Sequence, residues 1–263
     1  MAGGLPLAAV TRILVLAPHP DDEIVGFAAR IARQREAGAS VSVLFLTDGV
    51  PAAEVLWPWQ RRRRPAWVAR RRAEAEAVAA LLGLDWHGFV DIPTRRLKDE
   101  FAKARAAVLA AIAGRRIDHL WAPAYEGGHQ DHDTASFLGH GLAGAVTVFE
   151  APLYTFAGGR VRTQTFIDGP EGEVLILSPV ERAEKRRLLA LYASERGNLD
   201  YVGLDSECLR PLVGYDYARP PHPGRAFYQR FQWVPFRHPR IDFTTPEAVC
   251  RRLATLCRGA GEG

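Results

Sequence analysis

The chain has 263 residues, 48% hydrophobic and 24% charged, and a net charge of +4. That length and balance exclude a disulfide-stapled miniprotein and a disordered chain, and suit an α/β domain with a sizeable core. The three cysteines, Cys208, Cys250 and Cys257, are odd in number and lack a CxxC pair. They argue against a disulfide framework or a cysteine zinc site, and for a reducing, cytoplasmic setting.

The opening segment lacks an early basic region, and Arg12 interrupts its apolar run. It therefore reads as a lead-in to a first strand rather than a secretion signal. No run of 18 apolar residues occurs, so no membrane span is expected. Residues 12–17 (RILVLA) read as a buried parallel strand. Residues 23–36 carry Ile24, Phe27, Ala28, Ile31 and Ala32 at helical spacing. Residues 41–46 (VSVLFL) form a second strand, ended by Thr47-Asp48-Gly49. A helix over 67–82 closes at Gly83 in a left-handed cap. A short strand at 86–90 precedes a helix over 98–113 closed by Gly114. A strand at 118–122, a helix over 132–142 and a strand at 146–150 complete the first half.

This alternation predicts a Rossmann-like, doubly wound parallel sheet with helices on both faces. Residues 1–150 read as the α/β catalytic core. Residues 151–263 read as an irregular C-terminal extension that completes the same domain and shapes the substrate pocket. Within it, residues 174–178 read as a strand and 179–193 as a helix with its basic residues outward. Cys250 and Cys257 lie seven apart, on one face of a C-terminal helix, and both read as packing residues.

The chemistry lies in two loops. Ala17-Pro18-His19-Pro20-Asp21-Asp22-Glu23 follows the first strand directly, where ligands sit in an open α/β sheet. Three adjacent acids and no glycine there would repel a pyrophosphate, so a dinucleotide site is excluded. Imidazole nitrogen with carboxylate oxygen suits zinc, iron(II), manganese or cobalt. The second loop, Tyr125-Glu126-Gly127-Gly128-His129-Gln130-Asp131-His132-Asp133, follows the fourth strand. Strands one and four are neighbours in the usual order, so the two loops should face one crevice. Together they offer two histidines and a carboxylate for a metal, a further carboxylate to take a proton from water, and a further histidine to polarise a carbonyl.

APHPDDE at 17–23 and HQDH at 129–132 resemble the motifs of the PIG-L/LmbE-like zinc-dependent N-deacetylases. The similarity covers roughly residues 10–200. The resemblance implies that His19, Asp22 and His132 hold Zn2+, with Fe2+ or another divalent transition metal as the other candidates. It implies that Asp21 is the general base and that His129 stabilises the oxyanion and helps protonate the amine. Asp131 would orient a neighbouring histidine. Glu23 would either orient a metal ligand or cap the helix. Arg71, in a helix with Glu74, would contact substrate, and Asp91 would bind a sugar hydroxyl. Lys185 with Tyr192-Ala193-Ser194 resembles a later helix motif, where Glu195 replaces a common glutamine. Gln130 replaces the proline of the family's HPDH, at a position that is not a ligand.

Beside these, Tyr125 and Glu126 are candidates to line the pocket. Seven arginines fall at 61–64 and 70–72. They read as a solvated loop, or with Trp57 and Trp59 as a lid; no recognition motif accompanies them, so no nucleic acid partner is expected. His87, His119 and His140 read as structural. The expected activity is removal of an N-acetyl group from a small sugar or glycoconjugate. The alternatives are a metal-dependent amidase or esterase on a non-sugar substrate, and a non-catalytic sugar- or nucleic-acid-binding module.

Overall fold

The computed structural model describes residues 11–230, 232–234, 236 and 238–260, so the lead-in at 1–10 lies outside the described residues. Strand β1 (Arg12–Ala17) and helix α1 (Asp22–Glu36) form where the pattern places them. Along β1, Ile13, Val15 and Ala17 enter one apolar cluster and Leu14 and Leu16 the other, on the opposite face. A strand buried on both faces is a continuous apolar run, which is why RILVLA was legible. Ile24, Phe27, Ala28 and Ile31 of α1 join the first cluster. Burying each large member of that stripe contributes about 1.5–3 kcal/mol.

Strand β2 (Ser40–Pro51) runs on through Thr47-Asp48-Gly49, the expected stop, because Thr47 and Pro51 still pair with the next strand across two register shifts. Gly49 absorbs the irregularity at φ 69°. A short helix α2 (Pro58–Arg61) precedes α3 (Arg64–Leu82), which starts earlier than expected with Pro65 in its first turn. Gly83 takes the left-handed cap as read. Strand β3 (Trp86–Thr94) is followed by α4 (Phe101–Arg115). The cap of α4 is Arg116 at φ 54°, and Gly114 lies inside the helix.

Next come β4 (His119–Pro123), α5 (Gln130–His140) and β5 (Thr147–Ala151). Strands β6 (Tyr154–Thr155) and β7 (Arg162–Thr163) pair as a small ribbon. Then follow β8 (Glu173–Ile176), α6 (Pro179–Leu191), β9 (Ser206–Pro211) and α7 (Pro246–Ala260). The main sheet has the order β3-β2-β1-β4-β5-β9-β8. Its first five strands are parallel, and β9 and β8 add antiparallel beyond β5. The sheet is thus mostly parallel and extends past residue 150.

Two expectations for the second half change. The basic residues of α6 are not all outward: Lys185 is fully buried against Glu207 of β9. Cys250 packs inside α7's contact, but Cys257 is exposed.

Candidate active site

Strands β1 and β4 lie side by side, so the loops leaving their C-terminal ends meet. Three donor atoms converge there. His19 Nδ1 lies 3.1 Å from Asp22 Oδ2, His132 Nε2 lies 3.1 Å from the same oxygen, and the two nitrogens are 3.3 Å apart. Metal–ligand distances near 2.0–2.1 Å in tetrahedral geometry place ligand atoms about 3.3 Å from one another. The triangle therefore fits one face of a tetrahedral cation site, and all three side chains are buried.

The ring orientations are set from outside this triangle. His19 Nε2 lies 3.1 Å from Asp131 Oδ2 and 3.0 Å from Thr94 Oγ1. With the proton on Nε2, the lone pair of Nδ1 faces the triangle. Asp131 is itself fixed, accepting from Thr94 Oγ1 at 3.0 Å, Arg95 N at 2.6 Å and Leu97 N at 3.2 Å. His129 is the N-cap of α5, and its Nδ1 accepts from Asp131 N at 3.1 Å. That leaves Nε2 as the donor of the His129 ring, which packs edge-on against His19 with centroids 4.5 Å apart.

Electrostatics favours positive charge in the triangle. Burial lowers the His19 pKa, but the hydrogen bonds and charges of Asp131 and Asp22 overcome it and push it up to about 10. Burial raises Asp22, yet His132 and His19 hold it well below the usual carboxylate range. Asp131 is likewise held low against burial by His19 and His129. His129 is pushed well down by burial, and the charge of His19 adds to this, so it stays neutral.

Asp21 caps α1 at φ 134°, a conformation L-residues rarely hold. Glu23 supports it: its Oε2 accepts Asp21 N at 3.1 Å, and its Oε1 accepts the Tyr192 hydroxyl. Glu23 thus braces the backbone of the turn, closer to the capping reading than to a ligand-orienting one. Burial raises its pKa to about 7. Arg71 Nη2 donates to Asp21 Oδ2 at 3.2 Å, and Nη1 lies 3.2 Å from Glu195 Oε1. Burial nevertheless keeps Asp21 well above its usual pKa, with Arg71 opposing. A Cβ on Gly49 would lie 2.6 Å from Arg71 Nε, so only glycine leaves Arg71 this position.

The other anticipated residues form no hydrogen bond or ion pair with His19, Asp22 or His132 among the described residues. Asp91 is exposed and pairs with Arg72 at 2.5 Å. Tyr125 donates its hydroxyl to Arg219 O at 2.7 Å. Glu126 is buried and accepts Leu153 N and Tyr154 N. Three participants went unread. Thr94 ends β3 and carries no motif. Tyr154 lies with its ring 5.0 Å from that of His132 and had only an aromatic in a loop as its signal. Gln130, set aside as a non-ligand, is 1% exposed. Its Oε1 accepts Lys98 Nζ at 2.6 Å, and its Nε2 donates to Asp242 and to Thr244 Oγ1.

Fold and site together define a Rossmann-like α/β protein with a buried cluster of two histidines and one carboxylate that could hold a cation. The family profile PIG-L, described as GlcNAc-PI de-N-acetylase, matches residues 14–142. The matched stretch runs from β1 past α5 and contains both loops of the site. The diacetylchitobiose deacetylase of Thermococcus kodakarensis is 32% identical over 142 residues, covering 51% of this chain and 49% of that protein. The 1D-myo-inositol 2-acetamido-2-deoxy-alpha-D-glucopyranoside deacetylase of Kineococcus radiotolerans is 40% identical over 83 residues, covering 31% of this chain and 23% of that protein. The matches thus span about half and about a quarter of these curated relatives. A deacetylase of the teicoplanin biosynthesis pathway, solved in complex with bog, shares the fold. It superposes with a TM-score of 0.61 at 21% identity, covering 78% of this chain and 99% of that one.

Proposed function

We propose that this protein is a zinc-dependent N-deacetylase that hydrolyses the acetamide of an N-acetylated sugar or sugar conjugate. One observation carries the reading: the donor triangle of His19, Asp22 and His132, with sides of 3.1, 3.1 and 3.3 Å, matched to a tetrahedral ion. The donor set of two imidazoles and one carboxylate leaves a coordination position open, as catalytic rather than structural sites do. Bound zinc would supply the Lewis acidity that makes water a nucleophile near neutral pH.

The chain's own residues do the rest. Asp21, raised by burial, takes the proton of the attacking water. His129 stays neutral and offers Nε2–H to the oxygen of the tetrahedral adduct. As the C–N bond breaks, the proton held by Asp21 passes to the departing amine, so acetate and a free amine leave with the balance closed. Arg71 holds Asp21 against Glu195, and Asp131 holds His19 in its ligating tautomer. Residues 151–263 complete the same domain, a reading supported by β8 and β9 joining the main sheet. The three free cysteines support a reducing, cytoplasmic setting.

The test is amine release from a panel of N-acetylated sugars and conjugates, on metal-loaded protein with and without chelator. Chelator-sensitive release is expected. The variant Asp21→Asn should keep its metal and lose about 10²- to 10⁴-fold in kcat, the usual share of a general base. Full activity in that variant would remove Asp21 from the mechanism, and no release from any N-acetylated substrate would remove the deacetylase reading.

A further inference from the structure

The arginine-rich stretch divides in the structure. Four of its seven members are spent on nearby acids: Arg64 on Asp48, Arg70 on Glu74, Arg71 on Asp21 and Glu195, and Arg72 on Asp91. The other three, Arg61, Arg62 and Arg63, are exposed and form no ion pair among the described residues. The nearest acid along the chain, Glu54, is held by Arg96 at 2.5 Å.

These arginines follow Trp59 in the chain; Arg61 Nε donates to Leu56 O at 3.3 Å, and the Arg63 guanidinium lies 6.0 Å from the Trp67 ring centre. Trp59 is 69% exposed and stacks on Trp57, with centroids 5.4 Å apart and planes 6° from parallel. Trp57 meets His238 edge-on at 6.4 Å, and His238 meets Phe236 at 6.5 Å. Phe236 is 59% exposed, and Val55, on the same segment as Trp59, is 41% exposed. The segment 55–63 thus carries an exposed aliphatic side chain, an exposed indole and three arginines without an ion pair among the described residues, and the indole is linked through Trp57 and His238 to the exposed Phe236. Isolated exposed apolar residues are ordinary, but a linked group of large ones marks a contact surface.

We propose that this face, built from Trp59, Phe236, Arg61, Arg62 and Arg63, docks the protein on an anionic lipid bilayer. Aromatic rings settle at the headgroup level of a membrane while arginines engage the lipid phosphates around them. A single-stranded nucleic acid is the less fitting occupant. It needs stacking rings interleaved with basic groups along a groove, whereas here the arginines are consecutive on one short turn and Val55 gives a base nothing to stack on. Docking of this kind requires no spanning segment, and no helix among the described residues is long and apolar enough to cross a membrane.

Co-sedimentation with vesicles tests the proposal, using full-length protein with pure phosphatidylcholine and with a mixture one-third phosphatidylglycerol. Binding to the mixture alone, weakened by salt, is expected. Substituting serine for Arg61, Arg62 and Arg63 together should reduce partitioning roughly a hundredfold, since each arginine near the surface contributes about one factor of five. The double variant Trp59→Ala, Phe236→Ala should also release the protein, and it should remove a blue shift of tryptophan emission seen on vesicle binding. Unchanged circular dichroism and amine release in both variants separate a surface effect from misfolding. The proposal is overturned if the wild type ignores phosphatidylglycerol, if both variants bind as the wild type does, or if an oligonucleotide displaces the protein from the vesicles.

Discussion

Replacing Gln130 by proline tests how the second motif is anchored. The backbone should accept it. Gln130 is the first residue of α5, where a proline's missing N–H is not needed, and His129 before it is extended at φ −147°, ψ 147°, as a residue preceding proline prefers. The side chain is another matter. It loses bonds to Asp242, Thr244 and Lys98, and Asp242 is buried. A neutral bond contributes about 1 kcal/mol and one to a charged partner about 1.5–3 kcal/mol. Lys98 keeps Arg95 O at 3.0 Å, which moderates the loss. The expected destabilisation is about 2–4 kcal/mol for Gln130→Ala. Gln130→Pro should lose slightly less, because proline restricts the unfolded chain by about 0.4–1 kcal/mol. Urea unfolding measures both, and hydrogen exchange should show the amides around 242–244 losing protection first. Both variants should keep their metal, because neither ligand nor helix changes. If Gln130→Ala unfolds within about 0.5 kcal/mol of the wild type, the anchor has no energetic weight and the reasoning fails.

Lys185→Met should cost about 3–5 kcal/mol, because Glu207 would remain as a buried carboxylate without its cation. Glu207 keeps the amides of Ala29 and Arg30, so the lower end of that range is expected in urea titration, and a neutral outcome would contradict the pairing. Glu126 tests pH dependence. Burial raises its pKa well above the usual carboxylate range, against two backbone donors that lower it. Its folded form therefore binds a proton that the unfolded chain has released, so stability falls as pH rises above about 4.5 until the folded group titrates. Glu126→Gln keeps the acceptor for Leu153 N and Tyr154 N. Thermal melts of the variant should decline less between pH 5 and pH 8 (roughly the range of maximal protein stability); equal slopes would exclude Glu126 as the source.

The first half of the fold was legible because its strands are buried on both faces and its helices carry clear apolar stripes. The misread boundaries share a cause. Thr47-Asp48-Gly49 carries turn chemistry, yet the pairing of Thr47 and Pro51 with β3 carries the strand through it. Gly114 looked like a cap, but the backbone reverses at Arg116, two residues on. Strand β9 was invisible because SECLRP places Glu207 and Arg210 in the interior, each matched by a distant partner: Lys185 for one, Glu150 for the other. Local patterning holds no record of such long-range pairs. At the site, the motif residues were legible by type and spacing. Thr94, Tyr154 and the anchoring role of Gln130 were not, since each acts through a contact far away in sequence.

The most direct measurement is metal content after exhaustive dialysis, by elemental analysis, of the wild type and His132→Ala. The account predicts one zinc ion per wild-type chain and none in the variant, with both folded by circular dichroism. Stoichiometric metal retained by His132→Ala, or a wild type that takes up no divalent ion at all, would contradict the central assignment of His19, Asp22 and His132.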